Sequence, residues 1–506
     1  MTFRRVLQAL STFLVLLLVA CASVPPPTAG RDSVLLVSID ALRADYLDLG
    51  ITPNLSHLAR EGVRADWMTP SYPSLTFPNH YTLVTGLRPD RHGVVHNSMW
   101  DDALGDFRIA DRKAVGESRW WGGEPIWIGA QKAGLRTAMM FWPGSEAPIQ
   151  GLRPTRWNKF DDTYPYDARV DAVVGWLDEP AATRPQLVTL YFEKLDKAGH
   201  DFGPDSPQAH AALREVDAAI GRLLHGLAAH GRLDRVDLIV VSDHGMATVP
   251  PGHVIPIEDL ATEREAIVVS DGQSIGIAPR VGYEEIVGRR LLGAHPNYDC
   301  WRRQDLPARW HYGTHSRVPP IVCQMHEGWD ALSHTKLAKR PVGATRGSHG
   351  YDPALPSMRA IFLARGPAFR QGVRLPPFDN VDVYPLLARL LGITPAANDG
   401  NPATLLPALR KDSSCCPLLK KGAGDRAAVD GGFAFALPQI KAKSKANPPR
   451  SPFFKGGRQA TANSRGCRLK MGRRWTASRR RMFELAPTVM SESGESAAAG
   501  GASLTP

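Results

Sequence analysis

The sequence is short of cysteine, has no internal repeat and, over most of its length, carries no net charge. It also lacks an apolar run long enough to span a membrane comfortably. Of six cysteines, only Cys300 and Cys323 fall in the body of the chain, because Cys21 is N-terminal and Cys415, Cys416 and Cys467 lie in the tail. The formal charge of +11 would suggest a polyanionic partner, but its distribution removes that reading. From Lys411 to Pro506 there are 18 Lys and Arg against 6 Asp and Glu, which leaves 43 basic and 44 acidic residues in positions 1–410. The body is close to neutral, and its composition makes no nucleic-acid-specific surface.

What is present begins with an export signal. Arg4 and Arg5 precede an apolar stretch from Val6 to Ala20, the pattern of a secretion segment over residues 1–21. Leu18-Val19-Ala20-Cys21 resembles the lipobox of bacterial lipoproteins, in which the cysteine is lipidated and becomes the mature N-terminus. The plainer reading is a secretion signal with a chance cysteine, and both readings export the chain. The expected location is the periplasm, or the outer membrane of a Gram-negative bacterium, with membrane contact only through that lipid. Residues 22–31, around "SVPPPTAG", read as a linker of polyproline character. Export places Cys300 and Cys323 in an oxidising compartment, where they form either a disulfide or two separate buried thiols.

Residues 32–408 alternate between buried strands and helices. "SVLLVSID" (33–40), "GLRTAMMFW" (134–142), "QLVTLYFEKLD" (186–196), "VDLIVVSDHG" (236–245) and "MRAIFLARG" (358–366) are continuous apolar runs. Strands covered on both faces have this pattern, and it is typical of parallel sheets. Leu213, Val216, Ile220, Leu223, Leu224 and Leu227 recur at helical spacing. The fold class is therefore α/β, a central and mostly parallel sheet flanked by helices. Residues 250–345, rich in Pro, Trp, Arg and His, break the rhythm and read as an inserted smaller subdomain or long loops. The tail, 411–506, has basic runs and low complexity without a period, and is expected to be disordered.

Three of the strands end in aspartate: Asp40, Asp196 and Asp243. Ligands of open α/β sheets bind beyond the carboxyl ends of strands. His200 follows Asp196 by one helical turn, His244 adjoins Asp243, and His349 sits between glycines in "GSHGYDP". Three carboxylates and three imidazoles, with no thiolate, suit zinc. A bare D-x-x-x-H is common by chance, since Asp and His often cap helices or bond backbone instead. Thr76 opens the helical pattern "TFPNHYTLVTG" and is either an N-cap or a nucleophile aimed along the helix.

Taken together and in order, Asp40, "TFPNHYTLVTGLRPDRHG", "LDKAGHDFGP", "SDHGM" and "GSHGYDP" resemble the nucleotide pyrophosphatase/phosphodiesterase family of the alkaline phosphatase superfamily, with most likeness to its bacterial secreted members. The resemblance spans roughly residues 33–400. It implies an alkaline-phosphatase-like fold and two zinc ions per chain. Asp196, His200 and His349 would hold one ion; Asp40, Asp243, His244 and the Thr76 oxygen would hold the other. Thr76 would be the nucleophile and Asn97 would bond a phosphate oxygen. Phe77, with Tyr191 on the other face, would flank a nucleotide base. Taken without the resemblance, Asn97 reads as a loop residue making its own turn, and the two aromatics as core.

The implied reaction is hydrolysis of a nucleotide phosphodiester or pyrophosphate bond through a covalent threonine ester, releasing a nucleoside monophosphate. One departure stands out: relatives read Glu-Glu-Pro-Asp where this chain has Glu193, Lys194, Leu195 and Asp196. No C/S-x-P-x-R motif begins at Thr76, which argues against sulfatase chemistry. Two other readings remain at this level: a phosphonate or monoester hydrolase on the same scaffold, and a surface lipoprotein that binds nucleotide without turnover. Every expected ligand position is filled, which favours catalysis.

Overall fold

A computed structural model describes residues 33–411. The signal segment, Cys21, the proline linker and the tail beyond residue 411 lie outside the described residues. Among the described residues no helix is long and apolar enough to cross a membrane.

The apolar runs become strands of one eight-stranded mixed sheet. Its strands are β1 (Ser33–Ile39), β2 (Val63–Ala65), β3 (Thr137–Met140), β4 (Arg156–Trp157), β5 (Leu187–Phe192), β6 (Val236–Val241), β7 (Phe362–Arg365) and β8 (Val373–Leu375). They lie in the order β8-β2-β7-β6-β1-β5-β3-β4. From β6 to β4 all neighbours are parallel. β7 runs antiparallel to both β6 and β2. The apolar pattern of residues 358–366 marks a buried strand but carries no information on direction. The edge strands β4 and β8, and β2 next to β8, are two or three residues long, too short to leave a periodic trace.

Helices α1 (Thr76–Thr85), α2 (Tyr166–Asp178), α3 (Lys194–Phe202), α4 (Pro207–Ala229) and α5 (Val383–Leu391) cover the sheet. β1 is buried along its whole length, and its side chains divide between two cores. Val34 and Leu36 pack with Tyr81 and Val84 of α1 and Leu387 of α5. Leu35, Val37 and Ile39 pack with Val170 of α2 and with Leu213, Val216, Ile220 and Leu223 of α4. α4 starts where its sequence dictates: the Ser206 hydroxyl accepts from the Ala209 N–H, and Pro207 fills the first turn.

Between β6 and β7 the chain builds a separate five-stranded antiparallel sheet. Its core is formed by Ile275, Ile277, Val287 and Leu291. Cys300 and Cys323 face each other across one of its ladders and are joined by a disulfide.

Replacing both cysteines with serine removes a link between positions 23 residues apart. Chain-closure entropy sets the expected loss at about 3 kcal/mol of unfolding free energy. Denaturant melts of the oxidised and double-serine proteins measure it. Equal midpoints would mean that strand pairing alone holds this sheet.

Candidate active site

β6, β1 and β5 are neighbours at the centre of the sheet, and each delivers a carboxylate at its carboxyl end. Asp40 follows β1 directly, Asp243 lies two residues past β6, and Asp196 sits in the first turn of α3, beyond β5. The chain must turn sharply after Asp40. Ala41 does so with φ 58°, a left-handed conformation rarely adopted by a residue with a side chain, and its N–H donates to Asp243 Oδ1 at 3.2 Å. Two glycines let backbones meet behind the histidines. A Cβ on Gly245 would lie 2.1 Å from the Ser357 carbonyl, and one on Gly347 would lie 2.4 Å from the Gly199 carbonyl of α3.

The three histidines share one arrangement. Nδ1 of His200 faces the Gly347 carbonyl at 3.0 Å, Nδ1 of His244 the Gly245 carbonyl at 2.9 Å, and Nδ1 of His349 the Ser74 carbonyl at 3.0 Å. A carbonyl only accepts, so each Nδ1 carries the proton and each Nε2 is left for a metal. Those Nε2 atoms converge on carboxylate oxygens. His244 Nε2 lies 2.9 Å from Asp243 Oδ2 and 3.5 Å from Asp40 Oδ1. His349 Nε2 is 3.4 Å from Asp196 Oδ1, and His200 Nε2 is 3.5 Å from Asp196 Oδ2.

Two compact groups could hold a cation: Asp40, Asp243 and His244, and Asp196, His244 and His349. His244 belongs to both, and its ring stacks on His349 at 3.6 Å. His200, assigned with Asp196 and His349 from the sequence, stands at the rim of the second group with its side chain 36% exposed. The oxygens Asp40 Oδ1, Asp196 Oδ1 and Asp243 Oδ2 are buried and have no hydrogen-bond partner among the described residues. Buried carboxylate oxygens left bare in this way fit a cation site.

The electrostatics agree. Burial, reinforced by Asp243 and Asp196, pushes Asp40 well above the usual carboxylate range. Burial raises Asp196 as well. Asp243 is also desolvated, but the His244 and His80 imidazoles hold it below that range. His349 is driven well down, by burial first and then by His244 and His200.

Thr76 is not an N-cap. Leu75 holds that position, no side chain caps it, and Thr76 is the first residue of α1. Its hydroxyl lies 3.3 Å from His244 Nε2, facing the Asp40–Asp243–His244 group. Asn97 Oδ1 accepts the Phe77 N–H at 3.0 Å, so an asparagine of a distant loop supplies the first-turn bond that Leu75, at the N-cap position, does not. Pro78 has no N–H, and the Asn79 N–H donates to Leu75. This helix therefore does not offer a fan of free amides, and the Thr76 N–H is the one left in its first turn.

A pocket of about 340 Å³ opens beside Thr76 and is lined mainly by apolar side chains, including Phe77, Val115, Trp142, Phe160 and Tyr191. Phe77 also packs edge-on against Phe107 and tilted against Trp121. Tyr191 reaches the pocket wall, but its hydroxyl donates to Asp40 Oδ2, so it braces a carboxylate besides lining the pocket. Arg112 and Glu146 form an ion pair in the wall, and Glu146 also accepts the Phe160 N–H. Phe160, Trp142, Arg112 and Glu146 were not singled out from the sequence. No motif marks them, because they come from one short helix start, Arg112, and two separate loops. His80 was also passed over, although it stands one helical turn after Thr76.

Residues 34–352 match the family model described as type I phosphodiesterase / nucleotide pyrophosphatase. Human ectonucleotide pyrophosphatase/phosphodiesterase family member 7 is 37% identical over 435 residues, covering 81% of this chain and 93% of that protein. An uncharacterized pyrophosphatase/phosphodiesterase of Schizosaccharomyces pombe is 36% identical over 397 residues, 76% of this chain and 82% of its own length. Murine ectonucleotide pyrophosphatase/phosphodiesterase 5, solved as an inactive threonine-to-alanine variant with AMP, has a TM-score of 0.70 at 34% identity and covers 75% of this chain and 100% of its own. These relatives are fungal and mammalian, where the sequence motifs had suggested bacterial members.

In metal-stripped protein Asp40 and Asp196 should contribute a pH dependence of one sign, against the opposite one from the lowered His349. Asp40 and Asp196 are raised in the folded state, so they keep protons that the unfolded chain gives up at about pH 4. Their contribution to stability without metal then falls as pH rises from that point through the raised values. A divalent cation replaces the protons, so the gain in melting temperature on adding Zn²⁺ should grow between about pH 5 and about pH 7.5. Melts of stripped and loaded protein at both pH values check this. A gain independent of pH would mean that the ion is not held by these carboxylates.

Proposed function

The chain belongs to the type I phosphodiesterase / nucleotide pyrophosphatase family and is a hydrolase, and from that premise we propose that it cleaves nucleotide phosphodiester or pyrophosphate bonds at a two-zinc centre, with Thr76 as nucleophile and a nucleoside monophosphate as product. The observation that carries this reading is the Thr76 hydroxyl. It caps nothing, stands at the start of α1, and faces His244 and the buried carboxylates with unpartnered oxygens.

Asp40, Asp243 and His244, with the Thr76 oxygen, would hold one ion, and Asp196, His200 and His349 the other. Bound there, zinc supplies positive charge that lowers the pKa of an oxygen ligand and neutralises phosphate oxygens. The protein's own part is positional. Thr76 Oγ1 attacks phosphorus in line, its proton passes to solvent, and a phosphoryl-threonine ester forms as the bond from phosphorus to the leaving oxygen breaks. Water then attacks the same phosphorus and frees Thr76. Asn97, its Oδ1 committed to Phe77, presents Nδ2 to a phosphate oxygen. The apolar pocket beside Thr76 has room for the group esterified to the phosphate, with Phe77 and Tyr191 in its wall. That volume favours a diester over a simple monoester or phosphonate. The AMP held by the murine relative points to a nucleotide as that group.

If Thr76 only shaped the helix, Thr76→Ala would cost roughly 1 kcal/mol or less of stability and spare the rate. As nucleophile, its loss should all but abolish hydrolysis of a nitrophenyl nucleotide diester while both zincs remain bound, and Thr76→Ser should retain turnover. A chiral phosphorothioate substrate should give net retention, because two inversions occur. Net inversion would mean direct attack by water.

We also propose that the protein is exported and anchored through a lipid on Cys21, on the strength of Leu18-Val19-Ala20-Cys21. Mass spectrometry of the mature N-terminus should find a diacylglyceryl group on Cys21. An unmodified N-terminus elsewhere would sink the anchor and leave export intact.

A further inference from the structure

A fourth imidazole lies beneath this site. His80 is completely buried in α1, one helical turn after Thr76. Its Nδ1 is 2.9 Å from the Thr76 carbonyl and 3.4 Å from Asp243 Oδ2. Its Nε2 is 2.8 Å from the hydroxyl of Ser38, which is itself buried and lies two residues before Asp40 on β1. The ring sits edge-on to Trp142 and to Tyr191, whose hydroxyl holds Asp40. Trp142 in turn donates its indole N–H to the His80 carbonyl at 3.1 Å.

The partners dictate the proton positions. Nδ1 meets a carbonyl oxygen and a carboxylate oxygen, which only accept, so it carries a proton. Nε2 meets a hydroxyl, and Ser38 can donate to it. His200, His244 and His349 have the same Nδ1–H arrangement but turn Nε2 toward the carboxylates and, for His244, the Thr76 hydroxyl, whereas the Nε2 of His80 meets Ser38 on β1. His80 is thus built like the three ligand-type histidines and withdrawn from metal binding by one serine.

We propose that His80 is a positioning residue for the nucleophile: Ser38 locks it as the Nδ1–H tautomer, and through that proton it holds the Thr76 carbonyl in the first turn of α1, with Asp243 Oδ2 close beside the ring. This rests on Thr76 being the nucleophile. Metal-site histidines and carboxylates held by such outer partners typically lose 10- to 100-fold in affinity or activity, on the order of those factors, when the partner is removed. Ser38 and His80 extend that support to the attacking hydroxyl. The link runs from β1, the strand that also carries Asp40, to the first residue of α1, so the helix start and the carboxylates are held to one reference.

Ser38→Ala and Ser38→Thr test the lock, because alanine removes the hydroxyl and threonine keeps it. On folded, zinc-loaded protein, Ser38→Ala should lower kcat by about 10-fold or more with KM nearly unchanged, and Ser38→Thr should recover much of it. His80→Asn, whose amide nitrogen falls near the Nδ1 position, should retain more turnover than His80→Gln, whose amide falls near Nε2. Selective ¹⁵N-histidine labelling reads the tautomer directly, with the His80 resonances assigned by their loss in His80→Gln. Wild type should show a protonated Nδ1, and Ser38→Ala a mixture of tautomers. A wild-type ring protonated on Nε2 alone overturns the proposal. So does a Ser38→Ala kcat equal to wild type, or a Ser38→Thr protein as impaired as Ser38→Ala. The tautomer can also be read in the Thr76→Ala protein, so failure of this link and failure of Thr76 as nucleophile are told apart.

Discussion

Three carboxylates packed together, two of them fully buried and the third largely so, are the constraint on which this site depends. Asp40 and Asp243 lie just past the ends of two neighbouring central strands and Asp196 in the helical turn beyond a third, and the parallel ladders set the spacing of those strand ends. Two unit charges about 4 Å apart repel by about 4 kcal/mol at an effective dielectric of about 20. Little solvent reaches the group, and Asp40 Oδ1, Asp196 Oδ1 and Asp243 Oδ2 have no hydrogen-bond donor among the described residues. Two responses are open to the fold: protonate some of the carboxylates, or bind cations. The raised Asp40 and Asp196 show the first response. The imidazoles, each with Nε2 turned inward by a backbone carbonyl behind it, prepare the second.

The same constraint explains what surrounds the carboxylates. A fourth acid, Glu193, stands three residues before Asp196 and would add to the excess negative charge. It is met instead by Arg169, a fully buried guanidinium that binds both Glu193 oxygens and the Tyr191 carbonyl. Arg169 in turn lies over the rings of Phe141 and Tyr166. Glu193 is thereby neutralised locally, and the segment that carries Tyr191 and Asp196 is pinned on its far side. Ala41 contributes from the other direction, since its left-handed backbone brings an N–H onto Asp243.

The features legible in the sequence are those written in short local patterns. β1, β5 and β6 show as apolar runs because both faces are covered, and their terminal aspartates show because they follow directly. α4 shows because one face of it is core. The reversed direction of β7 did not show, since Phe362–Arg365 would be equally apolar in either sense. The role of Thr76 at the helix start was open for a related reason. The pattern "SLTFPNHY" fits Thr76 as an N-cap or as a nucleophile, and the helix start at Thr76 together with the His244 contact across 168 positions separates them. The pocket wall was illegible altogether, because Arg112, Trp142, Glu146 and Phe160 meet through folding and not through spacing.

The one departure from the family motif can now be placed. Of Glu193, Lys194 and Leu195, none lines the pocket, whereas Asp196 does. Glu193 is held by Arg169. Lys194 pairs with Glu215 of α4 and lies 4.6 Å from the centre of the Tyr166 ring. Leu195 is buried with β5 and α4 in the apolar core on that side of the sheet. The positions where this chain differs therefore face the α4 side of α3, and the change is one of packing between helices. Selectivity for what is esterified to the phosphate must be written elsewhere. The pocket offers one place with directional polarity away from the carboxylates, the Arg112–Glu146 pair. There a donor and an acceptor stand together in an otherwise apolar wall, with Glu146 fixed by the Phe160 N–H. A polar pair of that kind discriminates by which hydrogen-bonding groups of a ligand it leaves unmatched, a stronger filter than the fit of apolar surface alone.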